Sequence, residues 1–325
     1  MNKELEIWQF AARRLEKNEP VMLLVVAESA GSSPGRQGFK MVVAADGLAG
    51  SIGGGVMEVR LVEQAKLKIK NEELKIDSQI IEQVHRKNAP DSSGMICSGR
   101  QTVIFFELNS AHLKVVEKII AALEKQKSGR LQISNFNFQI EEKPSQGGTQ
   151  TADFRFERTG ENEFLYEENL GFKNKLFIVG GGHCALALSE IVSKMDFHIA
   201  LFDDRAELNT LLKNEFVDEK KTIESYEKIG EFIPSGATHY VVVMTLGYKS
   251  DAIVIRKLFA KDFKYFGVLG SRAKMKTLLR ELAEEGFDKE KLAQIRTPVG
   301  LKINSRTPHE IAVSIAAEII AVKNG

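Results

Sequence analysis

Gly180-Gly181-Gly182-His183-Cys184-Ala185 follows a short apolar run and opens a stretch of helical spacing. The pattern is G-x-G-x-x-[G/A]. Glycine suits it because a strand must turn tightly into a helix while the backbone comes close to an anion. The unpaired amides and positive dipole end of that helix favour phosphate. A second apolar run, 198–202, ends in Asp203-Asp204, which puts Asp203 about where the ribose-binding carboxylate of a dinucleotide site would stand. Gly180, Gly182 and Asp203 are therefore candidate ligand-binding residues.

A second glycine loop, Gly50-Ser51-Ile52-Gly53-Gly54-Gly55, precedes helical spacing over 56–70. Gly53, Gly54 and Gly55 would let backbone amides converge on an anion at the helix entrance. Ser32, Ser33 and Arg36 add hydroxyls and a guanidinium suited to phosphate or carboxylate. Cys97 lies in a loop beside Arg100, and a thiol near positive charge can serve as a thiolate, a soft-metal ligand or a sulfur carrier. Cys184, opening an apolar helix, reads as packing. Met244-Thr245-Leu246-Gly247 and Gly270-Ser271-Arg272 each follow a strand, at the carboxyl ends where doubly wound sheets place ligands. No Ser-His-Asp order, HExxH or paired-carboxylate spacing supports hydrolysis.

The elements that must position these residues divide the chain. At 325 residues, two domains are expected, 1–168 and 169–325, with the charged stretch 167–175 as the boundary. In the first, a helix ends at Asn18-Glu19-Pro20, strands are expected at 21–27, 39–44, 78–84 and 102–107, and helices at 56–70 and 110–125. Short strand-like pieces fill 131–168. In the second, strands at 176–179, 199–202, 240–245 and 265–269 alternate with helical segments. That alternation predicts an α/β fold with a Rossmann-like doubly wound parallel sheet after an N-terminal α/β domain. Thr307-Pro308-His309-Glu310 is a capping box with proline at the first helical position, so the last helix begins there.

A net charge of +1 gives no electrostatic reason to expect nucleic acid or an anionic membrane as partner. Two cysteines far apart disfavour a disulfide scaffold and suit a reducing compartment. With no signal-peptide core and no apolar run approaching ~20 residues, a cytoplasmic location is expected.

Together these landmarks resemble the XdhC/CoxI family, the accessory proteins of xanthine dehydrogenase and related molybdenum hydroxylases. The matching stretches are Gly31-Ser32-Ser33-Pro34, Gly38-Phe39-Lys40-Met41, the Gly50–Gly55 loop with Glu58, and the Cys97 loop ending in Glu107. Further along come Gly180-Gly181-Gly182-His183, Asp203-Asp204-Arg205, Met244–Gly247, Gly270-Ser271-Arg272, Gly300-Leu301 and the segment from Thr307. The resemblance implies a two-domain chaperone, without turnover of its own, that binds molybdenum cofactor (molybdopterin or its nucleotide form) and assists its sulfuration and insertion. The implied partner is a xanthine dehydrogenase-type apoenzyme; a cysteine desulfurase and self-association are left open. It adds His183, Ser271 and Arg272 to the cofactor-binding candidates and makes Cys97 a candidate for the metal end. The chain departs from the pattern at Val56, where the family often has cysteine, and at Ser98, where it often has glycine. A usual His-Gly-His becomes Leu246-Gly247-Tyr248. The rival reading is an NAD(P)-dependent oxidoreductase using the same glycine loop and Asp203, and a small-nucleotide sensor is a third.

Overall fold

Residues 3–71, 78–85, 99–124, 129–135, 137–142, 153–160, 163–171, 174–195 and 197–325 are described by a computed structural model. The chain forms two units, Met1–Gly171 and Phe172–Gly325.

In the first unit the order is α1 (Lys3–Leu15), β1 (Val21–Gly31), β2 (Lys40–Val43), β3 (Leu48–Gly50), α2 (Gly55–Lys70), β4 (Ser78–His85), β5 (Gly99–Leu108), α3 (Leu113–Glu124), β6 (Gly129–Ser134), β7 (Asn137–Glu142), β8 (Phe154–Arg158) and β9 (Phe164–Leu170). One antiparallel sheet runs β3-β2-β1-β5-β4 and a second runs β7-β6-β9-β8. The near-continuous apolar run of β1 is explained by burial on both faces, since strand side chains alternate. Met22, Leu24 and Val26 pack with Leu61 and Ala65 of α2. Leu23 and Val25 pack in a second cluster with Trp8, Ile119 and Tyr166.

That second cluster borders a buried ionic group. Lys40 Nζ lies 2.7 Å from Glu168 Oε2 and 3.0 Å from Glu4 Oε1, and Tyr166 donates its hydroxyl to Glu168 at 2.8 Å. Burial opposes the charge on Lys40, but the two carboxylates win and hold its pKa above the usual value. Glu167 meanwhile pairs with Arg130 at 2.9 Å and Arg155 at 3.3 Å. The first part of the charged stretch 167–175 is thus strand: β9 runs to Leu170, and the division between the units, Gly171 to Phe172, falls inside that stretch just beyond the expected 168.

The second unit contains β10 (Lys175–Val179), α4 (His183–Val192), β11 (His198–Asp203), α5 (Asn209–Leu212), β12 (Glu219–Thr222), α6 (Ile229–Phe232), β13 (Gly236–Val243), α7 (Tyr248–Leu258), β14 (Phe263–Val268), α8 (Arg272–Glu284), α9 (Lys289–Ala293) and α10 (Pro308–Asn324). Its strands are all parallel in the order β12-β11-β10-β13-β14. One face packs against α7 and α8 through Phe177, Val179, Val241 and Val243, together with Ile255 and Leu278. The other packs against α4 and α10 through Leu176, Ile178, Val242, Leu188 and Ile315. This is the doubly wound sheet expected from the alternation. The fifth strand, β12, carries no apolar signal: Glu219-Lys220-Lys221-Thr222 is exposed throughout, as a charged edge should be.

Candidate functional site

The chain order reverses between the neighbouring strands β10 and β13, and ligands of open α/β sheets bind outside the carboxyl ends at such a point. Two helices begin there. Gly182 precedes α4 and Gly247 precedes α7, and neither helix start has a capping side chain. The other two long helices of this unit are capped: Ser271 Oγ accepts from Lys274 N before α8, and Thr307 accepts from Glu310 N before α10. In α4 the first helical bond runs from Leu186 N to Gly182 O at 3.1 Å, which leaves the amides of Gly182 to Ala185 ahead of it without helical acceptors. In α7 the equivalent bond is Asp251 N to Gly247 O at 3.0 Å. A Cβ built on Gly182 or Gly247 would meet nothing within 4 Å, so open space stands before both amide arrays.

The glycines of the first turn do different work. Gly180 has φ of 107°, and a Cβ there would lie 2.3 Å from the Met244 carbonyl oxygen. It is glycine because β10 and the end of β13 approach closely. Gly181 donates its amide to Asp203 Oδ2 at 2.6 Å, and its carbonyl accepts from Thr210 Oγ1 at 2.5 Å. Only Gly182 faces open space. His183 is exposed at the first turn of α4, while Cys184 is half-buried against the sheet core, where burial raises its thiol pKa.

Asp203 is fully buried and already engaged. Besides Gly181 it accepts from the Arg205 amide and Nε, both at 2.9 Å, and from Arg205 Nη2 at 2.8 Å. Burial would raise its pKa, but the bonds from Arg205 and Gly181 hold it below the usual carboxylate range. The carboxylate that stands at the expected ribose position thus clamps the glycine turn. The neighbouring Asp204 is the exposed acid.

Under the second helix start, Thr245 Oγ1 donates to Asp251 Oδ1 at 2.5 Å and Lys274 Nζ reaches Asp251 Oδ2 at 3.3 Å. Asp251 is 1% exposed, and burial raises its pKa despite Thr245 and Lys274. Leu246 is 82% exposed, and Tyr248 donates to Glu281, so the two departures flanking Gly247 offer no metal ligand. Ser271 and Arg272 are exposed at the start of α8. Glu318 of α10 accepts from Tyr265 at 2.6 Å and from the Gly300 amide at 2.8 Å, fixing the Gly300-Leu301 turn. Sequence reasoning missed Thr210 and Glu318, and it reached Asp251 only as the end of the loop from Met244, with no role of its own. Each is a polar residue in an apolar helical or strand-flanking stretch, a usable signal that a buried partner awaits it.

In the first unit the Gly50–Gly55 loop does converge its amides on an anion, and the anion is Glu58. One oxygen, Oε2, accepts from Ser51 Oγ at 2.7 Å, Ile52 N at 2.8 Å and Gly54 N at 2.9 Å. Burial pushes this carboxyl up, yet those bonds outweigh it and lower the pKa. Gly53, Gly54 and Gly55 all have positive φ, and a Cβ on Gly53 would lie 2.4 Å from Gly35 N. The sequence leads one to expect an open phosphate loop here; the protein fills it from within. Nearby, Gln101 accepts from Ser33 Oγ at 3.0 Å and donates to Gln83 at 2.8 Å, so Ser33 is a buried structural group. Cys97 and Ser98 lie outside the described residues. Among the described residues no group of three or more His, Cys, Asp or Glu side chains could hold a metal ion.

Residues 176–319 match the XdhC Rossmann domain, and residues 14–75 match the XdhC and CoxI family. The chain belongs to the XdhC/CoxI family. It is 25% identical over 324 residues, 98% of its length, to 47% of protein YqeB of Escherichia coli K12. It is 30% identical over 49% of its length to 46% of a probable xanthine dehydrogenase subunit from Bacillus subtilis 168. A 64-residue stretch, 20% of either chain, is 41% identical to the molybdenum cofactor insertion chaperone PaoD of Escherichia coli K12. The chain thus spans about half the length of the first two. A crystal structure described as a xanthine dehydrogenase from Bacillus halodurans shares the fold, with a TM-score of 0.72 at 20% identity over all of this chain and 96% of that one.

Proposed function

We propose that this protein binds molybdenum cofactor as cargo and hands it to a molybdenum hydroxylase of the xanthine dehydrogenase type. The observation that carries the reading is the pair of uncapped glycine helix starts, Gly182 and Gly247, on either side of the switch point. The cargo is a phosphorylated pyranopterin, and two amide arrays with open space before them fit a phosphate. Arg272, exposed at the neighbouring helix start, adds positive charge, and His183 adds a donor. The names of two relatives, a molybdenum cofactor insertion chaperone and a probable xanthine dehydrogenase subunit, support the cargo and the acceptor.

In this reading the chain's residues bind and orient; they do not turn over. The amides of α4 and α7 hold the phosphate end, Asp203 and Thr210 keep the α4 turn rigid, and Cys97 attends the metal–sulfur end. Sulfur for the cargo comes from a cysteine desulfurase, and the work takes place in the cytoplasm. No helix among the described residues is long and apolar enough to cross a membrane. The test is anaerobic purification followed by molybdenum and pterin analysis, beside co-expression with a molybdenum hydroxylase. Bound pterin and a raised cofactor content of the partner are expected. Sustained reduction of NAD or NADP by the isolated protein with purines, aldehydes or hydroxy acids would overturn the reading.

A further inference from the structure

The carboxylate at the end of β11 is where a dinucleotide fold ordinarily reads a ribose diol. In this protein it has no capacity left to do so. A carboxylate offers about four lone-pair directions, and Asp203 has four donors: Gly181 N, Arg205 N, Arg205 Nε and Arg205 Nη2. The pair with Arg205 is side-on and bidentate, and the Asp203 side chain is fully buried. A ribose hydroxyl could bind only by displacing one of these donors, which would leave either a buried charge short of a partner or the Gly181 amide unpaired. The same pairing has an electrostatic consequence. An unneutralised carboxylate beside the glycine turn would repel a phosphate arriving at α4, and the Arg205 guanidinium cancels that charge.

Resting on the phosphate reading above, we infer that the Asp203–Arg205 pair makes this crevice select its ligand by phosphate and not by a ribose diol. Asp203 is a positioning residue acting through Gly181. Arg205 is the residue that sets specificity. A nucleotide can still bind, but its ribose hydroxyls add nothing through Asp203.

The test compares ADP with 2′,3′-dideoxy-ADP, and both with inorganic pyrophosphate, by isothermal titration of the full chain. The two nucleotides differ only in the diol. A charged acceptor reading it would favour ADP by roughly tenfold or more; the expected result is agreement within about threefold. Asp203→Asn should weaken both nucleotides alike and leave their ratio unchanged, with a circular dichroism melt confirming that the variant is folded. A tenfold preference for ADP overturns the inference. If that preference disappears in Asp204→Asn, the exposed acid is the reader; if it disappears in Asp203→Asn, the pair opens on binding. Pyrophosphate binding alongside such a preference would leave the phosphate site standing and sink only this inference. Failure of all three probes to bind would sink the phosphate site and the inference with it.

Discussion

Gly180 and Gly182 sit two residues apart in one glycine triplet, yet substitution should separate them completely. At Gly180 a methyl group must take a φ of 107° and stand 2.3 Å from Met244 O, 2.6 Å from Met244 C and 2.8 Å from Thr245 N. All three are backbone atoms at the end of the neighbouring strand, so no side chain can rotate away. The left-handed strain is about 1–2 kcal/mol, and forcing two packed strands apart adds about 1–3 kcal/mol. The lost freedom of the unfolded chain returns about 0.4–1 kcal/mol. Gly180→Ala should therefore lose about 2–4 kcal/mol of the unit's stability and lower its melting temperature by about 5–15 °C. Gly182 has φ of −70° and ψ of −172°, open to any residue, and no atom lies within 4 Å of a new Cβ. Gly182→Val should melt within about 5 °C of the parent, since valine meets no atom there and costs only its poorer fit as an N-cap, about 1 kcal/mol or less. Its branched side chain would stand before the α4 amides, and losing even one charge-assisted bond there weakens phosphate binding by roughly tenfold or more. Trp8, the only tryptophan, lies in the first unit, so the melts should be followed by circular dichroism and tyrosine emission. Pyrophosphate affinity is read by titration. A parent-like melt for Gly180→Ala would refute the steric argument, and parent-like affinity in folded Gly182→Val would make the loop merely structural.

Lys40→Met should cost about 3–5 kcal/mol, because it strands the buried Glu168 carboxylate, and adding Glu168→Gln should recover part of that loss in urea titrations. Glu58→Ala should lower the melting temperature, and acetate at millimolar levels should partly restore it in the variant but not in the parent. Glu58 and Asp203 both have folded pKa values below their unfolded ones of about 4.3 and 3.9. Their stabilisation is complete above those values and is lost as pH falls through the lower folded ones, so acid unfolding below about pH 4 should be shallower in Glu58→Gln than in the parent. Cys97→Ser should fold normally and lose molybdenum on anaerobic gel filtration, whereas Cys184→Ala should shift stability by about 1 kcal/mol and keep the metal.

The parts of the fold legible in the sequence are those where burial and periodicity coincide. Leu176–Val179 is apolar without interruption because helices cover both faces of β10, and Thr307 with Glu310 forms the capping box their spacing implies. What escapes reading is charge that is used internally. Glu167 and Glu168 look like a solvated linker because their partners, Arg130 and Lys40, lie far away in sequence and only the sheet pairing brings them together. Strand β12 is invisible for the opposite reason: an exposed edge has no apolar side to display. Asp203 is legible as a residue but not in its role, since Arg205, two residues on, could as easily have pointed to solvent.

The two glycine loops bring this limit into focus. Both read as strand, glycine triplet and helix, and either could present amides to a phosphate. In the first, Glu58 stands one helical turn beyond Gly54, a distance from which a carboxylate can fold back onto the amides before its own helix, as in a capping box. In the second, no acid occupies the first turn of α4, and the one that reaches the loop, Asp203, comes from the next strand and takes only the Gly181 amide. The first loop is therefore neutralised by its own helix and the second is left open toward a ligand. What separates them is where the first-turn acid goes. Glu58 accepts from its own loop's amides, α4 has no acid in its first turn, and the first-turn Asp251 of α7 is taken up by Thr245 and Lys274. The α4 and α7 starts of the second unit are therefore the better candidates for a phosphate. Under the proposed function this favours the second unit for the cargo's phosphate and a structural role for the Gly50–Gly55 loop, and Glu58→Ala, by emptying that loop, is the substitution that would turn the one into the other.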